Sequence, residues 1–411
     1  MVRRPRILLV LVEGLAETVI DSAVLEHARQ AREQGVAEFE IWALCWSREM
    51  RRRSLLRLEQ ARTLAGCKVR LLGGLRPGLP FSIWINGLLL RLAMLRFAAR
   101  VDIMHARGAY AAALCALAKS GTTRLIWDCR GDWIAESAER LSALKWLPAR
   151  LKRVKQRGVR LIQARAMVSC DGAIFVSRSL AESSASGLGD KPSAVIPCAA
   201  SESLFYFDVD LRDRMRSELG YAPQNRVFVY SGSLAPHQCF GEIIGEFRSL
   251  LAQDGDARLL VVTPEIASAN RQVAGIDRRF VTIVSADFRE VNHYLNAADA
   301  AFMVRRPTPA NAVASPVKFA EYSLAGLPVI MTQAVIDAWR QAGELGNRAS
   351  IDGARVLLSP TFERQDVARR ARQLLGKHRF THLYDGLIRT VLSGRRSAVC
   401  RNPQARPVGL R

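Results

Sequence analysis

Lys318 and Glu321, three positions apart within SPVKFAEYSLAGLPVI (residues 315–330), are the two side chains best placed to do chemistry in this chain. Ser315 is a good helix N-cap, and Pro316 suits the first helical position, where no backbone donor is needed. Phe319, Tyr322 and Leu324 are spaced for a helix face, Gly326 ends that helix, and residues 327–331 read as a short buried strand. Lys318 is the odd residue, because a cation in the first turn opposes the helix dipole and is more comfortable beside an anion. Glu321, one turn on, is placed to accept hydrogen bonds from a hydroxylated ligand. The stretch fits a site for a phosphate ester carrying a sugar, such as a nucleotide sugar. It fits equally a capped surface helix with an incidental Lys and Glu, and on these residues alone both readings stand.

Other candidates are located by the elements that carry them. Short apolar runs alternate with amphipathic stretches through the first half, the pattern of a parallel sheet wrapped by helices. Strands are expected over 7–12, 40–44, 69–72, 102–105, 124–128, 172–176 and 194–196, with helices over 18–34, 109–120 and 149–168 and a basic helix between the second and third strands. A doubly wound sheet binds ligands at the carboxyl ends of its strands. That rule singles out Glu13 and Gly14, His105 to Gly108, and Asp128 to Asp132. Gly14 is expected to let the first loop approach a ligand closely, with Glu13 and Arg107 facing the same space. Asp128 also has a bland reading, as a loop carboxylate paired with Arg130. No G-x-G-x-x-G follows the first strand, which disfavours a nicotinamide-type dinucleotide domain.

The rhythm restarts in the second half, with strands expected over 226–230, 258–262, 281–284 and 300–304 and helices over 238–251 and 292–298. A further helix is expected over 334–343, then a long helical region over 362–392. Asp208-Val209-Asp210 resembles a metal-binding DxD, but its place at the start of a helix over 211–219 favours a capping role. His378 and His382 have metal-ligand spacing without a third ligand and read as a surface pair. No metal is expected.

Composition narrows the class. At 411 residues the chain suits two domains, and 49% apolar with 24% charged residues is ordinary globular material. Sixty Lys and Arg against 38 Asp and Glu give +22, so the expected partner is anionic: phospholipid, nucleic acid or a phosphorylated substrate. Eight dispersed Cys without paired spacing read as thiols in a reducing compartment. The apolar run at 7–12 is closed by Glu13 with no cleavage site after it, so a strand is expected there and not a signal peptide. Residues 81–99 form the nearest approach to a membrane span, but Arg91 and Arg96 interrupt them. They read as an amphipathic helix with Trp84 and Phe97 as interfacial anchors, or else as a core-facing helix. Residues 145–165 hold eight basic and no acidic side chains, which fits a solvated face or a membrane-facing helix. Nucleic acid is disfavoured, since no motif or aromatic interleaving supports it.

The order of signals resembles retaining glycosyltransferases of family four, which have the GT-B fold. The resemblance rests on a strand ending in Ser231-Gly232, a strand over 281–284 followed by Asn296-Ala297-Ala298-Asp299, and then SPVKFAEYSLAGLPVI. In the first half, FVSRSL (175–180) and VIP (195–197) also look like that family. It covers roughly residues 6–390 and implies two doubly wound Rossmann-like domains facing a cleft. These would be an acceptor-binding domain over 1–205 and a nucleotide-sugar-binding domain over 206–394, whose last helix packs back on the first. A basic, disordered tail would follow over 395–411.

The family's E-x7-E motif is half present: Glu321 takes the place of the glutamate that binds ribose hydroxyls, and Val313 falls where the first glutamate would be. Ser233 and Gln238 stand where the family often has the Arg and Lys that hold the diphosphate. Lys318, with Arg305 or Arg306, is expected to supply the missing charge, and Gly232, Ser233 and Ser315 to complete the donor site. Asp128 with Arg130 looks like an Asp-x-Arg variant of the family's histidine, there to hold sugar hydroxyls or help deprotonate the acceptor, and His105 is a further catalytic candidate lining the cleft. Glu13, Gly14, Arg107 and Glu136 are the expected acceptor-binding residues. The resemblance implies transfer from a nucleotide sugar to a glycan or lipid-linked acceptor, with retention and without a metal or other cofactor. With the basic helices it implies a cytoplasmic protein, peripheral on the inner face of the membrane, that makes a surface polysaccharide or glycolipid. The rivals are a non-catalytic GT-B-like binding protein, a nucleotide-sugar epimerase on the same fold and, less favoured, a basic nucleic-acid-binding protein.

Overall fold

The computed structural model describes residues 3–16, 20–97, 100–353, 355–358 and 362–394. The first residues of the expected helix at 18, the last of the amphipathic helix at 98–99, and the tail at 395–411 lie outside them. The chain divides into two compact units, one of residues 1–197 with 380–411 and one of residues 198–379.

The first unit is built on strands β1 (Arg6–Leu11), β2 (Glu38–Cys45), β3 (Lys68–Gly73), β4 (Ile103–Arg107), β5 (Arg124–Cys129), β6 (Gly172–Phe175) and β7 (Ser193–Val195). They form one seven-stranded parallel sheet in the order β3-β2-β1-β4-β5-β6-β7. β1 and β4 are buried almost throughout, as central strands covered on both faces must be, and this explains their unbroken apolar runs. Ile7, Leu9, Ile41, Ile103, Ile126 and Ile174 make one face of the core. Val24, Leu25 and Ala28 pack against it from a helical segment that opens with a π-helical turn, Asp21–Glu26, and continues as His27–Glu33. Tyr384, Leu387, Ile388 and Val391 of the last helix, Lys377–Ser393, complete the same core. The order reverses between β1 and β4, so their carboxyl ends open the crevice where such sheets hold ligands.

The second unit repeats the plan with β8 (Arg226–Ser231), β9 (Ala257–Val262), β10 (Val281–Val284), β11 (Ala300–Met303), β12 (Val329–Met331), β13 (Arg348–Asp352) and β14 (Arg355–Leu357). The order is β10-β9-β8-β11-β12-β13-β14, parallel except for the terminal β13–β14 pair, which is antiparallel and was not anticipated from the sequence. Its switch point lies between β8 and β11. Asp208 caps the helix Val209–Glu218, accepting from the Leu211 amide at 2.7 Å, as its place in the sequence predicts. Among the described residues, no group of three or more His, Cys, Asp or Glu could hold a metal ion. His378 instead hydrogen-bonds Glu202.

Candidate functional site

At the carboxyl end of β8 the chain enters Gly232 with φ +115°, a backbone region that side chains avoid. A Cβ there would stand 2.7 Å from Lys318 Cε and 3.0 Å from its Nζ, so the glycine makes room for the lysine. Lys318 leaves the first turn of the helix Val317–Leu324 and lies over the Tyr230 ring, Nζ 4.0 Å from its centre. Its ammonium donates to the Tyr230 hydroxyl at 3.0 Å and to Gln238 Oε1 at 2.8 Å. Arg305, 5% exposed at the end of β11, reaches the same oxygen from Nη2 at 2.6 Å. Thr332 fixes the Arg305 backbone, accepting from its amide at 3.1 Å and donating to its carbonyl at 2.6 Å. Two cations therefore converge on one neutral amide oxygen. Burial, and next the Arg305 charge, push the Lys318 ammonium well below the usual lysine range.

Glu321 lies one turn further along that helix and is 8% exposed. Its carboxylate makes no hydrogen bond among the described residues, and burial raises it to about 7 against the opposing charges of Lys318 and Lys377. Tyr322 locks the helix to β8, its hydroxyl accepting from the Ser231 amide at 2.9 Å. Lys318, Glu321, Gly232 and Arg305 are thus brought together as expected. Arg306 is not, because its guanidinium turns to Glu242 on the helix Phe240–Leu251 at 2.7 Å. Ser315 is not the N-cap: Pro316 keeps an extended backbone, the helix begins at Val317, and the Ser315 hydroxyl accepts from the Cys198 amide at 3.0 Å. Ser233 contributes its carbonyl, which accepts from the Tyr230 hydroxyl, and leaves its side chain exposed.

The first unit gathers its candidates at the equivalent switch point. Asp128, 6% exposed at the end of β5, has His105 Nε2 at 3.6 Å, Arg130 Nη1 at 3.4 Å and Arg107 Nη1 at 3.8 Å. Burial would raise its carboxyl, but the Arg130 charge, the His105 contact and the Arg107 charge together hold it far below the usual carboxylate range. Arg107 Nε donates to Glu13 Oε1 at 2.7 Å, while its buried Nη1 has no hydrogen-bond partner. His105 Nδ1 lies 2.8 Å from the hydroxyl of Tyr384 on the last helix. Burial, and next the Asp128 charge, keep that hydroxyl protonated by raising it well above its ordinary value. No sequence signal pointed to Tyr384, which lies 279 positions from His105. Gly14 plays a different part from the one expected: the space a Cβ would fill is already taken by Ser54 Oγ at 2.8 Å and Met50 Cγ at 2.9 Å. Its left-handed turn serves helix packing, with the Leu15 amide donating to Ser54 Oγ at 3.0 Å. Glu136 is exposed beside Arg140, and its Oε1 lies 2.6 Å from where a Gly131 Cβ would be.

Residues 21–203 match the family model described as Glycosyltransferase Family 4. No curated protein matches the sequence. Among solved structures, Anabaena Alr3699/HepE in complex with UDP superposes with a TM-score of 0.63 at 14% identity, covering 95% of this chain and 100% of that one. A glycosyltransferase from Rickettsia africae ESF-5 gives 0.57 at 13% identity over 95% and 94% of the two chains. A putative UDP-N-acetylglucosamine 2-epimerase from Listeria monocytogenes gives 0.55 at 12% identity over 94% and 96%. At such identities the likeness is one of fold. Residues 21–203 are thus similar to Glycosyltransferase Family 4, and the two seven-stranded sheets of the whole chain form an α/β fold of the GT-B kind.

Proposed function

We propose that this protein is a glycosyltransferase that takes its sugar from a nucleotide diphosphate donor bound by the second unit. The observation that carries the reading is Glu321: a nearly buried carboxylate without a hydrogen-bond partner among the described residues, one turn from two converging cations. Carboxylates in such places normally have partners, and ribose hydroxyls are donors of the right kind. Lys318 and Arg305 meet the diphosphate charge. That Alr3699/HepE was solved with UDP and with UDP-glucose supports a uridine donor.

In the transfer itself the bond between the anomeric carbon and the phosphate oxygen breaks, and the electron pair leaves with the diphosphate. The acceptor hydroxyl oxygen bonds to the anomeric carbon, and its proton passes to the departing phosphate oxygen. Lys318 and Arg305 stabilise the charge that develops there. Attack and departure on one face retain the anomeric configuration, as the family resemblance implies. Asp128, kept ionised by Arg130 and His105, accepts a hydrogen bond from a sugar hydroxyl, and Arg107, Glu13, Arg130 and Glu136 belong to the acceptor side. Ser315 and Ser233 serve the donor site through backbone shape. The transfer needs no metal, so EDTA should leave the rate unchanged.

The test is turnover of a panel of UDP-, GDP- and CMP-sugars against glycan and lipid-linked acceptors. Glu321→Ala should abolish transfer by a protein that still folds. A wild-type protein that turns over no donor would favour a non-catalytic binding role. Interconversion of a UDP-sugar without any acceptor would favour epimerase chemistry, the reading suggested by the fold shared with the putative UDP-N-acetylglucosamine 2-epimerase from Listeria monocytogenes.

The acceptor side faces an anionic bilayer in this proposal, consistent with a peripheral protein of the inner membrane face that builds a surface polysaccharide or glycolipid. On the helix Ser82–Phe97, Trp84 is 59% exposed, Leu88 58% and Leu95 78%. From the basic helix Ala149–Ser169 the Arg165 guanidinium reaches it, 5.9 Å over the Trp84 ring. Exposed apolar side chains bordered by Lys and Arg suit an interfacial position. No helix among the described residues is long and apolar enough to cross a membrane. Sedimentation with phosphatidylglycerol vesicles, lost on phosphatidylcholine and with Trp84→Ser/Leu88→Ser, would support the placement. Equal binding to both lipids would sink it.

A further inference from the structure

We propose that Gln238 is a displaceable stand-in for a donor phosphate oxygen, and that by competing for Lys318 and Arg305 it sets how tightly the second unit holds a diphosphate. The inference rests on the donor reading of that site. Gln238 closes a short 3-10 turn, Pro236–Gln238, and its Oε1 accepts from Lys318 Nζ at 2.8 Å and from Arg305 Nη2 at 2.6 Å. Its backbone carbonyl also accepts from Arg305 Nη1 at 3.3 Å, so the side-chain oxygen can leave while the arginine stays anchored. Cys239, next in the chain, has φ +56° and ψ +38°, a left-handed conformation that a non-glycine residue holds only under constraint. That backbone aims Gln238 at the cations and starts the helix Phe240–Leu251 behind it.

An amide oxygen carries only a partial negative charge. It satisfies the hydrogen-bond geometry of the two cations and leaves most of their mutual repulsion in place. A phosphate oxygen offers the same geometry with a full charge, so exchange favours the ligand. Rotation about the glutamine side-chain bonds, with loss of the exposed 3.0 Å contact between Gln238 Nε2 and His237 Nε2, releases the site. A glutamate in the same place would form an ion pair with both cations and hold the site shut. A shortened side chain would leave the cations to water and to any anion in reach.

Titration calorimetry with UDP and with inorganic pyrophosphate tests this on the full chain. Gln238→Ala should bind both probes about three- to tenfold more tightly, the equivalent of one ordinary hydrogen bond no longer competed for. Gln238→Glu should bind both at least about tenfold more weakly, since a charge-assisted pair replaces a neutral one. In ligand-free protein Gln238→Glu should melt higher than wild type and Gln238→Ala lower, which separates competition for the cations from a general loss of fold. Weaker binding by Gln238→Ala would show that the glutamine is itself a phosphate ligand and would overturn the proposal, as would unchanged or tighter binding by Gln238→Glu. Failure of wild-type protein to bind either probe would overturn the donor reading and the stand-in together, and that outcome is distinguishable because it precedes any comparison of variants.

Discussion

The two units share one strand order and one switch point, yet load that position in opposite ways. In the first, Asp128 is enclosed by Arg130, His105 and Arg107, and Arg107 is in turn bonded to Glu13. Its charges are paired within the protein. In the second, Lys318 and Arg305 share a neutral oxygen, and Glu321 has no hydrogen-bond partner among the described residues. Topology fixes where a ligand can come, and side-chain pairing fixes whether the charges there are balanced within the protein or left under electrostatic load. Under the proposed function, the first cluster would orient an incoming group and the second would be completed by one.

Breaking each site should therefore damage different properties. Asp128→Ala removes the carboxylate that faces buried Arg107 and half-buried Arg130, leaving Arg107 only Glu13, and should cost about 3–5 kcal/mol of stability, read by denaturant unfolding. Lys318→Ala relieves a crowded cation and should cost little stability, while kcat/KM for donor turnover falls about 10²- to 10³-fold. A loss of stability in both variants with no separation of the two effects would remove the contrast. The pH responses should be opposite in sign. Asp128 is held below its ordinary value of 3.8, so its stabilising contribution is present above that value and is lost on acidification. Glu321 is raised from 4.5 to about 7, so its contribution is present below 4.5 and is lost as pH rises through about 7. Because ligand hydroxyls need the ionised form, UDP affinity should rise over the same upper range, and Glu321→Gln should flatten it in calorimetry at several pH values. The smallest effect is expected from Tyr384→Phe, about 1 kcal/mol of stability for one buried hydrogen bond to His105, read by denaturant unfolding.

Much of this arrangement was legible because it is local. Alternating apolar runs placed nearly every parallel strand, and Phe319, Tyr322 and Leu324 announced their helix by spacing, with Gly326 marking its end. The misses are side chains whose partners lie far along the chain or whose direction the backbone decides. Nothing in the sequence brings Tyr384 to His105, or aims Gln238 at Lys318 eighty positions away. The absence of a lysine at 238 read as lost charge, whereas the structure makes that residue the meeting point of two charges. Gly14 reads from the sequence as a place where the loop approaches a ligand, and the structure fills that space with Ser54 and Met50. Ser315 has the composition of a cap, but the extended backbone of Pro316 delays the helix and frees the hydroxyl for Cys198. The β13–β14 pair escaped notice because its short strands carry Arg and Asp at their ends.

The last helix has a consequence for how the protein is made. Tyr384, Leu387, Ile388 and Val391 fill the same core as Ile7 and Leu9, although the whole of residues 198–379 is spelled out between them. On the ribosome the second unit is complete in sequence before the first has its final side chains. The N-terminal sheet must therefore wait, partly formed and with apolar surface uncovered, until the helix Lys377–Ser393 has been made. Its closure is a contact of very long sequence separation, the kind that slows folding. A nascent chain stopped at residue 376 should expose the first sheet to protease while the second resists, and adding the closing helix in trans should protect it.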